Sequence, residues 1–245
     1  MCNLNVTIFG DSITKGIAPK NNKLNKLKEN AVDLVGKYLN ININNLSSFG
    51  QTLSRAISKN WFKDYIDNII IDDENLNIAV IALGGNDSDY DWKKVSENPR
   101  YSHKNVTPIS QFEKKLDNVI KELKASGVEV ALVSLSPIDS NRYFKNCISK
   151  QGDEKRILEF LRKDISNIYK QEERYNLAIL KCANKNNCRV IDIRPTLLMN
   201  RAYIKSLCFD GIHPNQNGHK LIAKVAFKEI KQKFKTELKM LNYIK

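Results

Sequence analysis

Ile78-Ala79-Val80-Ile81-Ala82-Leu83-Gly84-Gly85-Asn86-Asp87 passes from six apolar residues straight into two glycines and an Asn-Asp pair. A short apolar run bounded by turn residues reads as a strand buried on both faces, as in a parallel sheet covered by helices. Working outward, residues 6–9, 128–135 and 189–193 read as further buried strands. Residues 41–48 are apolar but diluted by asparagines, which suits an edge strand.

Amphipathic stretches separate these strands. Leu24, Leu27, Ala31, Leu34, Val35 and Tyr38 share one helical face. From about Thr52, Leu53, Ile57, Trp61, Phe62 and Tyr65 do the same. Phe112, Leu116, Val119, Ile120 and Leu123 define a third helix, ended by Gly127. Residues 154–184 look helical with polar interruptions, and a last helix from about His219 buries Leu221, Ile222, Val225, Ala226, Ile230 and Phe234. Strands alternating with helices specify βαβ units and a parallel sheet. No repeat or linker divides the 245 residues, so residues 1–245 are expected to form one domain. The irregular stretches 87–108 and 137–153 both follow strands, and ligands bind at the carboxyl ends of such strands.

Composition narrows the function. With 42% hydrophobic and 27% charged residues, the chain reads as globular rather than disordered. The net charge of +13 raises the question of a nucleic-acid partner. Such a site would be a dense Lys/Arg stripe interleaved with aromatics. The densest basic run, residues 228–239, instead carries Glu229 and Glu237 and an amphipathic period, and reads as a solvated helix face. No apolar run approaches the ~20 residues of a bilayer span, and residues 1–9 lack the features of a secretory signal. A cytoplasmic location follows as the expectation. The five cysteines, Cys2, Cys147, Cys182, Cys188 and Cys208, form no CxxC pair and no metal-like cluster. They are expected to be free and mostly buried, with no metal or organic cofactor. Residues 87–92 are rich in aspartate but lack the glycine and terminal glutamate of a calcium loop.

Four short segments can carry chemistry. Gly10-Asp11-Ser12-Ile13 follows the first strand and can present a serine hydroxyl at the ligand-binding edge. Asn45-Leu46-Ser47-Ser48-Phe49-Gly50-Gln51-Thr52 ends the second, where a glycine lets the backbone approach a ligand. Gly84-Gly85-Asn86-Asp87 adds a side-chain amide donor. Asp210-Gly211-Ile212-His213-Pro214 precedes the last helix and spaces a carboxylate three residues from an imidazole. In that arrangement the carboxylate fixes the ring tautomer and leaves the other nitrogen free to take a serine proton. Each segment alone also suits a helix cap or a turn. All four together, in chain order, suit a nucleophile, oxyanion donors and an acid–base pair.

These segments resemble the blocks of the SGNH, or GDSL, hydrolases. Gly10-Asp11-Ser12-Ile13 is similar to the first, with isoleucine in place of the usual leucine; Asn45 and Gly50-x-Thr52 to the second; Gly84-x-Asn86-Asp87 to the third; Asp210-x-x-His213-Pro214 to the fifth. The resemblance implies an α/β fold, a three-layer α/β/α sandwich around a five-stranded parallel sheet, flavodoxin-like. It implies Ser12 as nucleophile, His213 as base and Asp210 as its orienter. The oxyanion donors would be the N–H groups of Ser12 and Gly50 and the Asn86 amide. Asp11, Asp87 and Trp92, beside these positions, are expected to contact substrate. His219 is expected to cap or pack, and His103 to lie in a surface loop.

The substrate stays open at this point. Small soluble esters or acetylated carbohydrates lead, with lysophospholipids or thioesters as alternatives on the same site. A non-catalytic flavodoxin-like binding module is the alternative of another class. It would need a phosphate loop, and residues 10–16 lack that glycine spacing.

Overall fold

The computed structural model describes residues 3–20, 23–72 and 74–240. Its strands are β1 (Asn3–Gly10), β2 (Ile43–Asn45), β3 (Asn75–Ala82), β4 (Glu129–Val133) and β5 (Arg189–Ile191). All pair in parallel in the order β2-β1-β3-β4-β5. Parallel strands need crossovers, and helices supply them. α1 (Ser12–Lys15) and α2 (Ala31–Leu39) follow β1; α3 (Leu53–Ser58) and α4 (Trp61–Asn68) follow β2; α5 (Trp92–Glu97) and α6 (Ile109–Ala125) follow β3. α7 (Ser140–Tyr143), α8 (Glu154–Phe160) and α9 (Ser166–Lys185) follow β4. α10 (Arg194–Met199), α11 (Gln216–Lys233) and α12 (Lys235–Met240) follow β5.

Side chains alternate across each strand, so the apolar run of β3 serves two cores. Ala79 and Ile81 face a layer made by α3, α4, α6 and α9, packed with Phe9, Phe62, Leu116 and Leu132. Ile78 and Val80 face a layer made by α2, α11 and α12, packed with Ile8, Val35, Ile222 and Leu238. The result is the three-layer α/β/α sandwich with a five-stranded parallel sheet. β1 has neighbours on both sides, reached by crossovers that run in opposite directions. This is the switch point at which open sheets of this order bind ligands.

Several element bounds differ from the sequence expectation, each for a local reason. Residues 24–30 do not join the α2 helix, because Asn30 caps it with a reciprocal hydrogen-bond pair to Asp33. Ile17 instead bridges Lys26, and Lys20 bridges Lys23, both antiparallel. The helix from Thr52 is two helices, broken where Asn60 turns left-handed at φ 57°. The stretch 154–184 is likewise split, with Arg162 and Lys163 left-handed between α8 and α9. β2 is shorter than residues 41–48, as an asparagine-rich edge allows. The two irregular stretches contain α5, α7 and a π-helical turn, Phe144–Ile148.

Lys228, Lys231, Lys233, Lys235 and Lys239 are exposed; the side chain of Glu237 lies outside the described set. Cys147, Cys182, Cys188 and Cys208 are free, Cys182 and Cys208 buried and the other two partly so, while Cys2 lies outside the described residues. Among the described residues no helix is long and apolar enough to cross a membrane.

Candidate active site

The carboxyl end of β1 delivers Ser12 to the first turn of α1. Asp11 caps that turn, its Oδ1 accepting from the Ile13 N–H at 2.9 Å. The cap and the candidate nucleophile are thus neighbours, and the cap at Asp11 leaves the Ser12 hydroxyl to other partners. Ser12 is buried, and its Oγ lies 2.9 Å from His213 Nε2. His213 Nδ1 lies 2.7 Å from Asp210 Oδ2. Asp210 Oδ1 accepts from the N–H groups of Ile212 and His213 at 3.0 and 3.1 Å. Burial opposes ionisation of Asp210, yet the His213 hydrogen bond and these N–H groups hold its carboxyl below the usual range.

The turn that carries Asp210 and His213 is built around Gly211. Its φ is 75°, and a Cβ there would lie 2.5 Å from the Asp139 carbonyl oxygen. Only glycine fits. The loop after β4 braces this turn from outside. The Asp139 N–H donates to the Gly211 carbonyl at 2.8 Å, and the Asn146 amide to the Phe209 carbonyl at 2.7 Å. Phe49 stacks on the His213 ring at 6.4 Å between centroids and 10° between planes. The sequence held no signal for this stacking beyond an aromatic beside Gly50.

The three candidate oxyanion donors, the N–H groups of Ser12 and Gly50 and the Asn86 amide, come from the segments after β1, β2 and β3. Gly50 is left-handed at φ 63°, with its carbonyl held by Arg55 Nη1 at 2.8 Å. The backbone N–H groups of Gly50 and Ser12 meet no acceptor among the described residues. Asn86 comes from the turn after β3, and its Nδ2 lies 3.0 Å from the Gln51 carbonyl oxygen and 3.5 Å from Asp11 Oδ2. Burial pushes the Asp11 carboxyl up to about 6.

A cavity of about 100 Å³ opens beside Ser12, Asn86 and His213. Asp11 and Trp92 line it, as expected of substrate-contact positions. Asp87 does not. Its carboxylate is fully buried and turned away, accepting from the Leu53 N–H at 3.2 and 3.0 Å, and so caps α3. The expectation of a substrate contact at Asp87 is therefore corrected: adjacent turn residues point to opposite sides, and Asn86 takes the cavity side. Asp87→Ala is expected to cost about 2–3 kcal/mol of stability, from the buried Leu53 N–H left unpaired and a lost hydrogen bond from the Thr107 hydroxyl. Denaturant unfolding checks this, with KM of the folded fraction unchanged.

The far wall includes residues the sequence did not single out. Asp89 accepts from Trp92 Nε1 at 2.7 Å, the Tyr90 N–H at 2.9 Å and the Tyr143 hydroxyl at 2.5 Å. Glu172 also lines the cavity, held at 3.0 Å by the buried Arg194. His219 is fully buried, and its Nδ1 accepts the Ala31 N–H at 3.2 Å, a capping role at α2. His103 lies outside the cavity, bonded to the Asn98 carbonyl. Among the described residues no His, Cys, Asp and Glu side chains group to hold a metal ion.

A serine, an imidazole and a carboxylate thus stand in line at the switch point of a 2-1-3-4-5 sheet on a flavodoxin-like fold. A family model described as GDSL-like Lipase/Acylhydrolase matches residues 6–226, and the chain belongs to that family. It is accordingly a carboxylic ester hydrolase, acting on small-molecule esters. Comparison with curated proteins finds no match.

Solved structures share the architecture. A lipase/acylhydrolase from Enterococcus faecalis is similar at 20% identity and a TM-score of 0.61, covering 93% of this chain and 95% of that one. An α/β hydrolase from the metagenome of Lake Arreo, Spain, is similar at 19% identity and a TM-score of 0.62, covering 93% and 95%. An acetylxylan esterase from Geobacillus stearothermophilus is similar at 19% identity and a TM-score of 0.60, covering 92% and 93%. At these identities the likeness concerns the fold.

Proposed function

We propose that the chain, read as one hydrolase domain, cleaves carboxylic esters through an acyl-enzyme on Ser12, with His213 as base and Asp210 as its orienter. The observation that carries this reading is the unbroken line from Ser12 Oγ to His213 Nε2, at 2.9 Å, and from His213 Nδ1 to Asp210 Oδ2, at 2.7 Å. A general base must sit within hydrogen-bond reach of the proton it removes, and this one does.

Ser12 Oγ bonds to the ester carbonyl carbon while its proton passes to His213 Nε2. The imidazolium so formed is stabilised by Asp210, whose carboxylate is charged and already oriented. The tetrahedral intermediate collapses by breaking the carbon–alkoxide bond, and the alcohol leaves with the proton from His213. Water then gives its proton to His213 and attacks the acyl carbon; release of the acid returns that proton to Ser12.

The carbonyl oxygen becomes an oxyanion in both steps. The N–H groups of Ser12 and Gly50 are free to receive it, and the Asn86 amide lies alongside. One Asn86 hydrogen is committed to Gln51, and the other has only the long 3.5 Å contact with Asp11 to give up. Donors fixed before the reaction cost no reorganisation when charge develops. Asn86→Ala is therefore expected to lower kcat about 10²–10³-fold with little change in KM. Steady-state kinetics on p-nitrophenyl acetate reads this, and an unchanged kcat removes Asn86 from the oxyanion site.

A further inference from the structure

A second cavity, of about 150 Å³, lies between the sheet and the layer of α2 and α11. Its wall is aliphatic from Leu4, near the start of β1, to Val133 at the end of β4, and Phe234 and Leu238 line its far side. Its polar lining residues, Asp11, Thr14, Ser134 and Ser136, all stand at or beyond the carboxyl ends of the strands. Native cores contain few voids larger than a water molecule. An apolar space of about 150 Å³ takes a guest of benzene size, about six carbons.

The position of this void relative to the reacting serine gives it meaning. Asp11, Ile13, Leu135 and Ser136 line both the void and the catalytic cavity. Asp11 and Ile13 are the chain neighbours of Ser12. An acyl group bonded to Ser12 Oγ therefore stands beside an aliphatic space with which its own cavity shares four lining residues. The catalytic cavity is also lined by Asp89, Tyr143 and Glu172, polar groups that do not line the aliphatic space and suit an alcohol portion.

We infer that the acyl chain of the substrate enters this second cavity, so the preferred esters carry an aliphatic acyl group of about six to eight carbons. The inference rests on the serine reading proposed above. It narrows the substrate away from acetyl esters, which leave the void empty. Each methylene moved from water into the cavity is expected to raise kcat/KM about fourfold. From acetate to hexanoate that amounts to about two orders of magnitude.

The test is kcat/KM of the full chain on p-nitrophenyl acetate, butyrate, hexanoate and octanoate, beside Ser12→Ala as control. The wild type is expected to climb steeply to hexanoate or octanoate. Ala226→Leu fills the cavity from α11 and Val35→Leu from α2; both residues line it. In either folded variant the hexanoate-to-butyrate ratio is expected to fall at least about tenfold, a shift that general damage to the fold does not produce. A profile that is flat or falls with length, while acetate hydrolysis depends on Ser12, overturns the acyl cavity and leaves the serine reading intact. An unchanged ratio in a folded variant does the same. Acetate hydrolysis that survives Ser12→Ala overturns both.

Discussion

Ser12→Ala is expected to lower kcat on p-nitrophenyl esters by about 10⁶-fold while leaving the protein folded. The magnitude follows from removing the atom that forms the acyl bond, so that hydrolysis falls back on direct attack by water. The fold should tolerate the change for a local reason. Ser12 opens α1 at a position where its N–H is unpaired and the helix is capped by Asp11, not by the serine hydroxyl. Alanine is the best helix former and suits that position. What the variant keeps is the proposed oxyanion donors and the cavity, which together are expected to sustain some residual rate. A loss of only tenfold, with folding intact, would mean that another group attacks the ester.

His213→Ala is expected to cause a loss of similar size, and the double variant to be no slower than either single one within about tenfold. In the proposed mechanism serine and histidine act as one unit: without the base the hydroxyl keeps its proton, and without the hydroxyl the base has nothing to activate. Additive losses would indicate two independent roles. The variant also strands Asp210, which is nearly fully buried and would keep only its two backbone N–H donors. A stability cost of about 1–3 kcal/mol is therefore expected, and kcat should be taken on the folded fraction.

The sheet was legible because its strands are short apolar runs cut off by turn residues, and β3 announces itself before any helix is considered. Ser12, Asn86 and His213 were legible for the related reason that polar residues in glycine-bearing turns stand out against such strands. Helix breaks were not legible. Asn60, Arg162 and Lys163 adopt left-handed backbone without a glycine to mark it, and the apolar spacing runs on through them. Asp87 was misread because a turn's two neighbouring residues look alike in sequence, while only the three-dimensional path decides that one faces the cavity and the other caps α3.

Longer-range features escaped for a different reason. Phe49 against His213, and Tyr143 against Asp89, join residues far apart in sequence through side-chain packing. The aliphatic cavity between the sheet and α2 and α11 escaped for a similar reason. A void is made by what surrounding side chains fail to fill, and no local pattern of residues records it.

The most direct measurement is the intact mass of the protein after exposure to an alkyl fluorophosphonate. Attack by an activated serine forms an oxygen–phosphorus bond, expels fluoride and passes the serine proton to the base. One adduct is predicted on the wild type, located on the peptide that contains Ser12, and none on Ser12→Ala. An unlabelled wild type, or an adduct that persists in Ser12→Ala, would contradict the assignment of Ser12 as the nucleophile.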